Sequence, residues 1–278
     1  MLRERGALEH ALFDVRTDAV SNRWSDFFVR TASAFVLGPI AIFCVWHGGW
    51  AWSALLAVAM AGLGWEWGRL AKLKRPTMLA ALLLSVWGVT AFIGPLAGLV
   101  AILAVGLGTW AFFRRFAAWG VPYAGIGGIS LLWLRLRPDV GLTDTLFLVL
   151  VVWGTDIGAY LAGRLFGGPK LAPWISPGKT WCGSFGGLLI GALAGEALAA
   201  GGQGFSPAGF GAGLLLSLCA QGGDLLESAI KRKLGVKDSG RTIPGHGGLF
   251  DRLDGFLAAA PVAALLAFSV HGGTPIWG

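Results

Sequence analysis

Residues 96–113 read LAGLVAILAVGLGTWAFF, eighteen positions without a charged side chain, stopped by the pair Arg114-Arg115. In lipid a chain must satisfy its own backbone hydrogen bonds, and a helix of about 20 mostly apolar residues does so while crossing the hydrocarbon. The run is therefore read as a membrane span. Its surroundings repeat the pattern: apolar stretches bounded by Gly, Pro or charge fall at 32–48, 50–68, 77–94, 119–134, 143–163, 184–202, 208–227 and 255–271. Across the 278 residues 55% are hydrophobic, only 13% are charged, and mean hydropathy is +0.68, which leaves little chain for a soluble domain. The predicted fold is an all-α integral membrane protein, a polytopic bundle of about nine transmembrane helices with a cytoplasmic N-terminus. Three regions follow: a polar cytoplasmic N-terminal segment over 1–30, the N-terminal transmembrane helices over 31–142, and a catalytic transmembrane region with cytoplasmic loops over 143–278.

The orientation rests on basic residues. With the N-terminus inside, 20 of the 22 Lys and Arg fall in cytoplasmic segments, and only Arg135 and Arg137 lie on the other side. The same distribution accounts for a net charge of +7 without nucleic acid, because the cations are spread over loops rather than gathered on a soluble face. The first thirty residues carry many charges and neither an apolar core nor a small-residue cleavage site, so they are not read as a cleavable signal. Cys44, Cys182 and Cys219 lie in apolar settings and are expected to pack, not to form disulfides or a zinc site. Trp46, Trp50 and Trp52 near one boundary, and Trp65 and Trp67 near the other, fit interfacial belts. Gly183, Gly187, Gly191 and Gly195 recur every fourth residue along the seventh span, a smooth face that a second helix can approach closely.

Charge is concentrated in one place. Between Asp224 and Asp254 stand five acids, Asp224, Glu227, Asp238, Asp251 and Asp254, and six bases, Lys231, Arg232, Lys233, Lys237, Arg241 and Arg252. A purely topological loop needs bases and has no use for five acids. If the eighth helix continues into this stretch, Asp224, Ser228, Lys231 and Arg232 share one face, and Asp224 lies at the membrane boundary, where a lone carboxylate is costly. Beyond a helix stop at Gly235, residues 237–248 have the glycine-rich composition that lets backbone amides approach an anion. Asp251 and Asp254 then share a face at the start of the ninth helix, with Arg252 between them. Hard oxygen donors, with no cysteine and a single histidine, point to Mg²⁺ over zinc. Magnesium beside many cations points to phosphate, as in a nucleoside triphosphate.

A second polar cluster runs from Asp156 through Arg164, Lys170, Ser176, Lys179 and Thr180. The tripeptide Gly178-Lys179-Thr180 is not a P-loop, since Pro173 stands where that motif requires glycine and no preceding strand is expected. A loop in which Lys179 and its neighbours bind phosphate is the reading retained. Glu66, near the cytoplasmic end of the second span, is read as paired or snorkelling and not as catalytic.

Taken together, Ser228-Ala229-Ile230-Lys231-Arg232, Lys237-Asp238 and the run from Ile243 to Asp254, with Pro244-Gly245-His246-Gly247-Gly248 at its start, resemble the defining motif of the phosphatidate cytidylyltransferases. The resemblance extends upstream through Asp156, Ala159-Tyr160, Gly163, Phe166-Gly167, Lys170-Leu171 and Ser176-Pro177. It implies transfer of the cytidylyl group of CTP to phosphatidate, giving CDP-diacylglycerol and pyrophosphate, in a bacterial inner membrane with the site on the cytoplasmic side. It also implies Mg²⁺, with Asp224 and Asp251 holding the metal centre; Asp254 is expected as a further ligand or as a group supporting the ligands, and a second, monovalent cation and a homo-oligomer are left open. Catalytic roles are expected for Asp224, Asp251, Lys231 and Arg252. Substrate contacts are expected from Asp156, Ser176, Lys179, Thr180, Ser228, Arg232, Lys237, Asp238, His246, Gly247 and Gly248. The chain departs from the family's Ser-Pro-Lys-Lys-Thr-x-Glu-Gly in having Gly178 for the first Lys and Cys182 for the Glu. Two rivals are a divergent paralogue that uses another lipid phosphate, and an ion-coupled transporter, whose acids should lie near midspan.

Overall fold

The computed structural model describes residues 35–112, 115–240, 242–243, 247–270 and 273–278. The N-terminal segment, Arg114, Arg241, His246 and His271 lie outside the described residues. Nine helices are present among those described: α1 (Phe35–His47), α2 (Gly49–Leu70), α3 (Pro76–Phe92), α4 (Pro95–Phe112), α5 (Arg115–Arg135), α6 (Gly141–Phe166), α7 (Trp181–Ala200), α8 (Pro207–Lys233) and α9 (Phe250–Ser269). By length and composition six of them, α4 to α9, can cross a membrane. The shorter α1 and α3, and α2, fall outside that group, so six of the nine expected spans meet this criterion among the described residues.

Local chemistry explains where the helices begin and end. Proline, which lacks the amide that a first turn leaves unpaired, opens α3, α4 and α8. The Thr180 and Ser206 hydroxyls each accept an N-terminal amide, from Gly183 and Gly209, and so cap α7 and α8. At the far end of α8, Gly235 has φ +69°, the Gly235 amide donates to Arg232 O and the Val236 amide to Lys231 O. This glycine-dependent turn confirms the stop expected there.

One segment differs from the all-helical expectation. Residues Lys170–Ala172 (β1) and Ser176–Thr180 (β2) form a two-stranded antiparallel hairpin that pairs Lys170 with Thr180 and Ala172 with Ser176. Gly178 and Lys179 therefore belong to a strand that runs directly into α7. The segment lies between the ends of two long helices, and strand pairing satisfies its backbone where a span would need a helix.

The predicted glycine face is realised between α6 and α7. A Cβ on Gly183 would lie 2.8 Å from Ala159 O, and one on Gly187 2.8 Å from Thr155 O; Gly191 faces Thr155 and Ser217, and Gly195 faces Phe147. Only a missing side chain permits such an approach. Two apolar cores fill the bundle. One is built around Phe147, Leu148, Val151, Leu216 and Ala260; the other joins Met60, Leu63, Leu79, Leu83, Val121 and Phe250 across α2, α3, α5 and α9.

Tryptophan placement divides. Trp46 and Trp50 are exposed, as belt residues should be, but Trp52 and Trp67 are buried, and their indole N–H groups donate to Leu131 O and Phe116 O at 3.1 Å. The cysteines are all free; Cys44 is buried, while Cys182 and Cys219 are half-buried.

The two ends of the bundle differ in chemistry. At one end Arg135 donates to Val45 O and Trp46 O, and Arg137 pairs with fully buried Asp144, which also accepts the Ile276 amide at 3.0 Å. Trp277 stacks on Phe147 with centroids 4.7 Å apart, seating the C-terminal residues on α6. The opposite end, separated by the 22 residues of α2, or roughly 30 Å at 1.5 Å per residue, carries both polar clusters.

Candidate active site

Three elements meet around a cavity of ≈ 330 Å³: the second half of α6, the hairpin with the start of α7, and the polar half of α8. Asp156, Tyr160 and Arg164 enter from α6, Lys179 and Thr180 from β2, Ser184 from α7, and Gln221 and Asp224 from α8. Residues that sequence reading had placed in two clusters thus line one space. Lys179 forms an ion pair with Asp224, and Ser228 Oγ donates to Asp224 Oδ1 at 3.4 Å one turn later. Below them Gln221 holds Ser184 by two hydrogen bonds, and Thr155 Oγ1 donates to Ser217 Oγ at 2.7 Å. Polar groups at this depth stay paired because lipid offers no substitute for water.

Acid and base are finely interleaved. The carboxylates of Asp156, Asp224 and Asp254 lie within electrostatic reach of one another, and Lys179 acts on both Asp156 and Asp254. Arg252 acts on Asp156 as well, although it lies a helix away on α9. Such an arrangement fits a hard divalent cation among oxygen donors. Two buried oxygens point the same way: Tyr123 Oη and Glu227 Oε1 lack a hydrogen-bond partner among the described residues, and Tyr123 lies within reach of Asp254, Glu227 and Asp224. Among the described residues no three acidic, histidine or cysteine side chains are drawn close enough to hold an ion as they stand.

Asp251 has different surroundings from its expected fellow ligands. Lys231 Nζ lies 2.6 Å from Asp251 Oδ1 and 2.9 Å from Glu227 Oε2, bridging α9 and α8. Asp251 Oδ2 accepts the Gly248 amide at 2.9 Å and the Ser239 amide at 3.1 Å. Both of its oxygens are thereby engaged, by an ammonium and by the loop that joins the two helices.

The remaining candidates sort by position. Arg232 Nε donates to Ile175 O at 3.1 Å, tying the end of α8 to the hairpin. Ser176 is half-buried where β2 begins, whereas Lys237 and Asp238 are exposed in the loop. Gly247, with φ +86°, bridges to Ile243, and His246 lies outside the described residues. At the two departures from the family pattern, a side chain on Gly178 would meet nothing within 4 Å, so the absent lysine has no steric cause, and Cys182 sits half-buried against Gly168.

Sequence reading missed several participants. Glu227 was counted among the acids without a role, yet it is buried and holds Lys231. Tyr123 sits on α5, a helix whose charged residues stand only at its two ends, and stacks on Phe250 with centroids 6.0 Å apart. Glu66 is paired, as one of its two readings had it, but it is fully buried and does not snorkel. A lone acid in an otherwise apolar helix was the signal available for it.

Fold and site together define a polytopic helical membrane protein with a pocket lined by charged residues at one end of its spans. The chain belongs to the cytidylyltransferase family, whose pattern it matches over residues 28–270. It is 41% identical to the phosphatidate cytidylyltransferase of Brucella suis biovar 1 (strain 1330), over 87% of this chain and 93% of that protein. It is 37% identical to the protein of the same name from Pseudomonas aeruginosa, over 88% and 98%. A Staphylococcus epidermidis protein of that name is 44% identical over 54% of this chain and 58% of its own.

Proposed function

We infer that the protein transfers the cytidylyl group of CTP to phosphatidate, releasing pyrophosphate and forming CDP-diacylglycerol in the membrane. One observation carries this reading beyond the names of its relatives: the cavity joins Lys179 and Thr180 to Asp156 and Asp224 at the end of the helices, where a lipid head and a soluble nucleotide can meet. The excess of Lys and Arg in the segments at that end supports a cytoplasmic site in a bacterial inner membrane and a cytoplasmic N-terminus.

In the proposed step a phosphate oxygen of phosphatidate attacks the α-phosphorus of CTP. The bond from that phosphorus to the β-phosphate oxygen breaks, and pyrophosphate leaves with the electron pair. The attacking oxygen is already ionised, so no strong base is required, and catalysis is positioning plus charge neutralisation. Lys179, which lines the cavity, would hold the nucleotide's phosphates, with Arg232 of α8, Arg252 of α9 and Lys237 of the loop as further cations for them. Tyr160 and Arg164 on the exposed side of α6 offer the lipid head a way in from the bilayer. Asp224, Asp251 and Asp254 would hold Mg²⁺, with the Lys231 ammonium beside Asp251. The ion would supply neutralisation of charge on the triphosphate.

The experiment is direct: purified protein in detergent with CTP, phosphatidate and Mg²⁺, with CDP-diacylglycerol and pyrophosphate measured as products. Both should appear in equal amounts and vanish on chelation. Turnover of a polyprenyl or ether-lipid phosphate in preference to phosphatidate would move the acceptor assignment, and absence of product from folded protein would overturn the reading.

A further inference from the structure

Glu66 is the one acid of α2, in the front half of the chain, and it is fully buried. Its partners lie 173 to 184 positions away, in the loop between α8 and α9 and at the first residue of α9. Oε1 accepts the Leu249 amide at 2.7 Å and the Thr242 hydroxyl; Oε2 accepts the Phe250 amide at 2.9 Å and lies 3.2 Å from Ser239 Oγ. Leu249 and Phe250 supply free amides at the start of α9, which has no side-chain cap of its own. Glu66 therefore caps α9 from another helix, where the helix dipole favours negative charge.

The loop is shaped around this carboxylate. A Cβ on Gly240 would come within 2.9 Å of Glu66 Oε1, and one on Gly248 within 2.9 Å of Oε2, so both glycines are required by the closeness of the approach. Ser239 then links Glu66 to the site. Its hydroxyl lies 3.2 Å from Glu66 Oε2 and 3.1 Å from Asp251 Oδ2, and its amide also donates to Asp251, which holds Lys231.

We propose that Glu66 is a positioning residue for the transfer reaction, setting the placement of residues 239–240, 242 and 247–250 and through Ser239 that of Asp251 and Lys231. The inference rests on the reading that Asp251 and Lys231 act in the transfer. Glu66 touches no substrate. Its effect is that of an oriented support, for which displacement of the reacting groups by about 1 Å costs on the order of 100-fold in rate.

The test compares three variants of the full-length protein in detergent: Glu66→Gln, Asp251→Asn, and Asp144→Asn as a control. Asp144 is an equally buried carboxylate, but it pairs with Arg137 at the opposite end of the bundle. Gln keeps the size of Glu66 but turns one acceptor into a donor facing donors. The expected result for Glu66→Gln is a kcat lower by roughly 10- to 100-fold, with the KM values for CTP and phosphatidate within about two-fold. Asp144→Asn should lower the thermal midpoint while folded protein keeps its kcat. A Glu66→Gln protein that behaves like Asp144→Asn, losing midpoint and keeping kcat, while Asp251→Asn is inactive, overturns the inference and leaves the reading of the site intact. Full turnover by Asp251→Asn would instead remove that reading. Should Glu66→Gln not fold, Thr242→Val deletes one donor from the exposed side of the loop. Its kcat should fall about 3- to 10-fold at an unchanged midpoint, and an unchanged kcat would equally overturn the inference.

Discussion

Lys179 of β2 and Asp224 of α8 form an ion pair across the cavity, with side chains 25% and 38% exposed. Pairs this open to water contribute about 0–1 kcal/mol to stability. Lys179→Met should therefore leave the thermal midpoint nearly unchanged. If Lys179 holds phosphate, kcat/KM for CTP should drop about 100-fold, as for loss of a charged contact that strengthens in the transition state. Steady-state kinetics beside thermal unfolding of the same preparation check both halves.

Gly178 lines the same cavity, and a side chain there would meet nothing within 4 Å. Gly178→Lys adds a cation at a strand position where glycine's backbone freedom is not used. The KM for CTP should fall by about 3-fold or more, consistent with a partly exposed charge interaction of roughly 1 kcal/mol, and more steeply at low ionic strength. A salt series on the two proteins decides it, and an unchanged KM would place the triphosphate away from β2.

Helix contact between α6 and α7 depends on absent side chains. Gly191→Leu would drive atoms into Thr155 and Ser217, and it should lower stability by about 1–3 kcal/mol or more, as overpacking does. Gly211→Ala on α8, where a Cβ meets nothing within 4 Å, should leave the midpoint unchanged. Thermal unfolding in detergent separates the two variants.

Arg137 and Asp144 are 7% and 0% exposed, and Arg137 also donates to Thr274 O. Removing one partner strands a buried charge, at a cost of about 3–5 kcal/mol. Arg137→Ala should unfold markedly earlier and release the C-terminal residues to protease, while the folded fraction keeps its turnover. The site lies at the other end of the spans, so a matching loss of kcat would contradict the separation of the two ends.

Much of this architecture was legible in the sequence because a membrane span is a local property. The apolar run at 96–113 became α4 (Pro95–Phe112), the run at 143–163 became the middle of α6, and the stop at Gly235 appeared where a left-handed residue was needed. Hydropathy and chain punctuation act within one helix and need no partner. The Asp224 to Asp254 stretch stood out for a related reason: charges are expensive at a membrane boundary, so their concentration there calls for partners.

Partnership was not legible. Trp52 and Trp67 look like belt residues by position, yet their indoles find carbonyls on α5 and are buried. The hairpin over 170–180 escaped notice because strand pairing in a short polar segment depends on the two helix ends that hold it. The motif around Asp251 does not disclose that the fold brings Lys231 and two loop amides to its oxygens.

The sequence by itself determined the solvent, the helices and the residues rich in chemistry, because each follows from transfer energies along a short stretch of chain. Only the tertiary structure decided that Lys179 faces Asp224, and that Glu66, more than 170 positions upstream, closes on the loop ahead of α9. A buried carboxylate must find donors somewhere, and which donors it finds is settled by how whole helices pack.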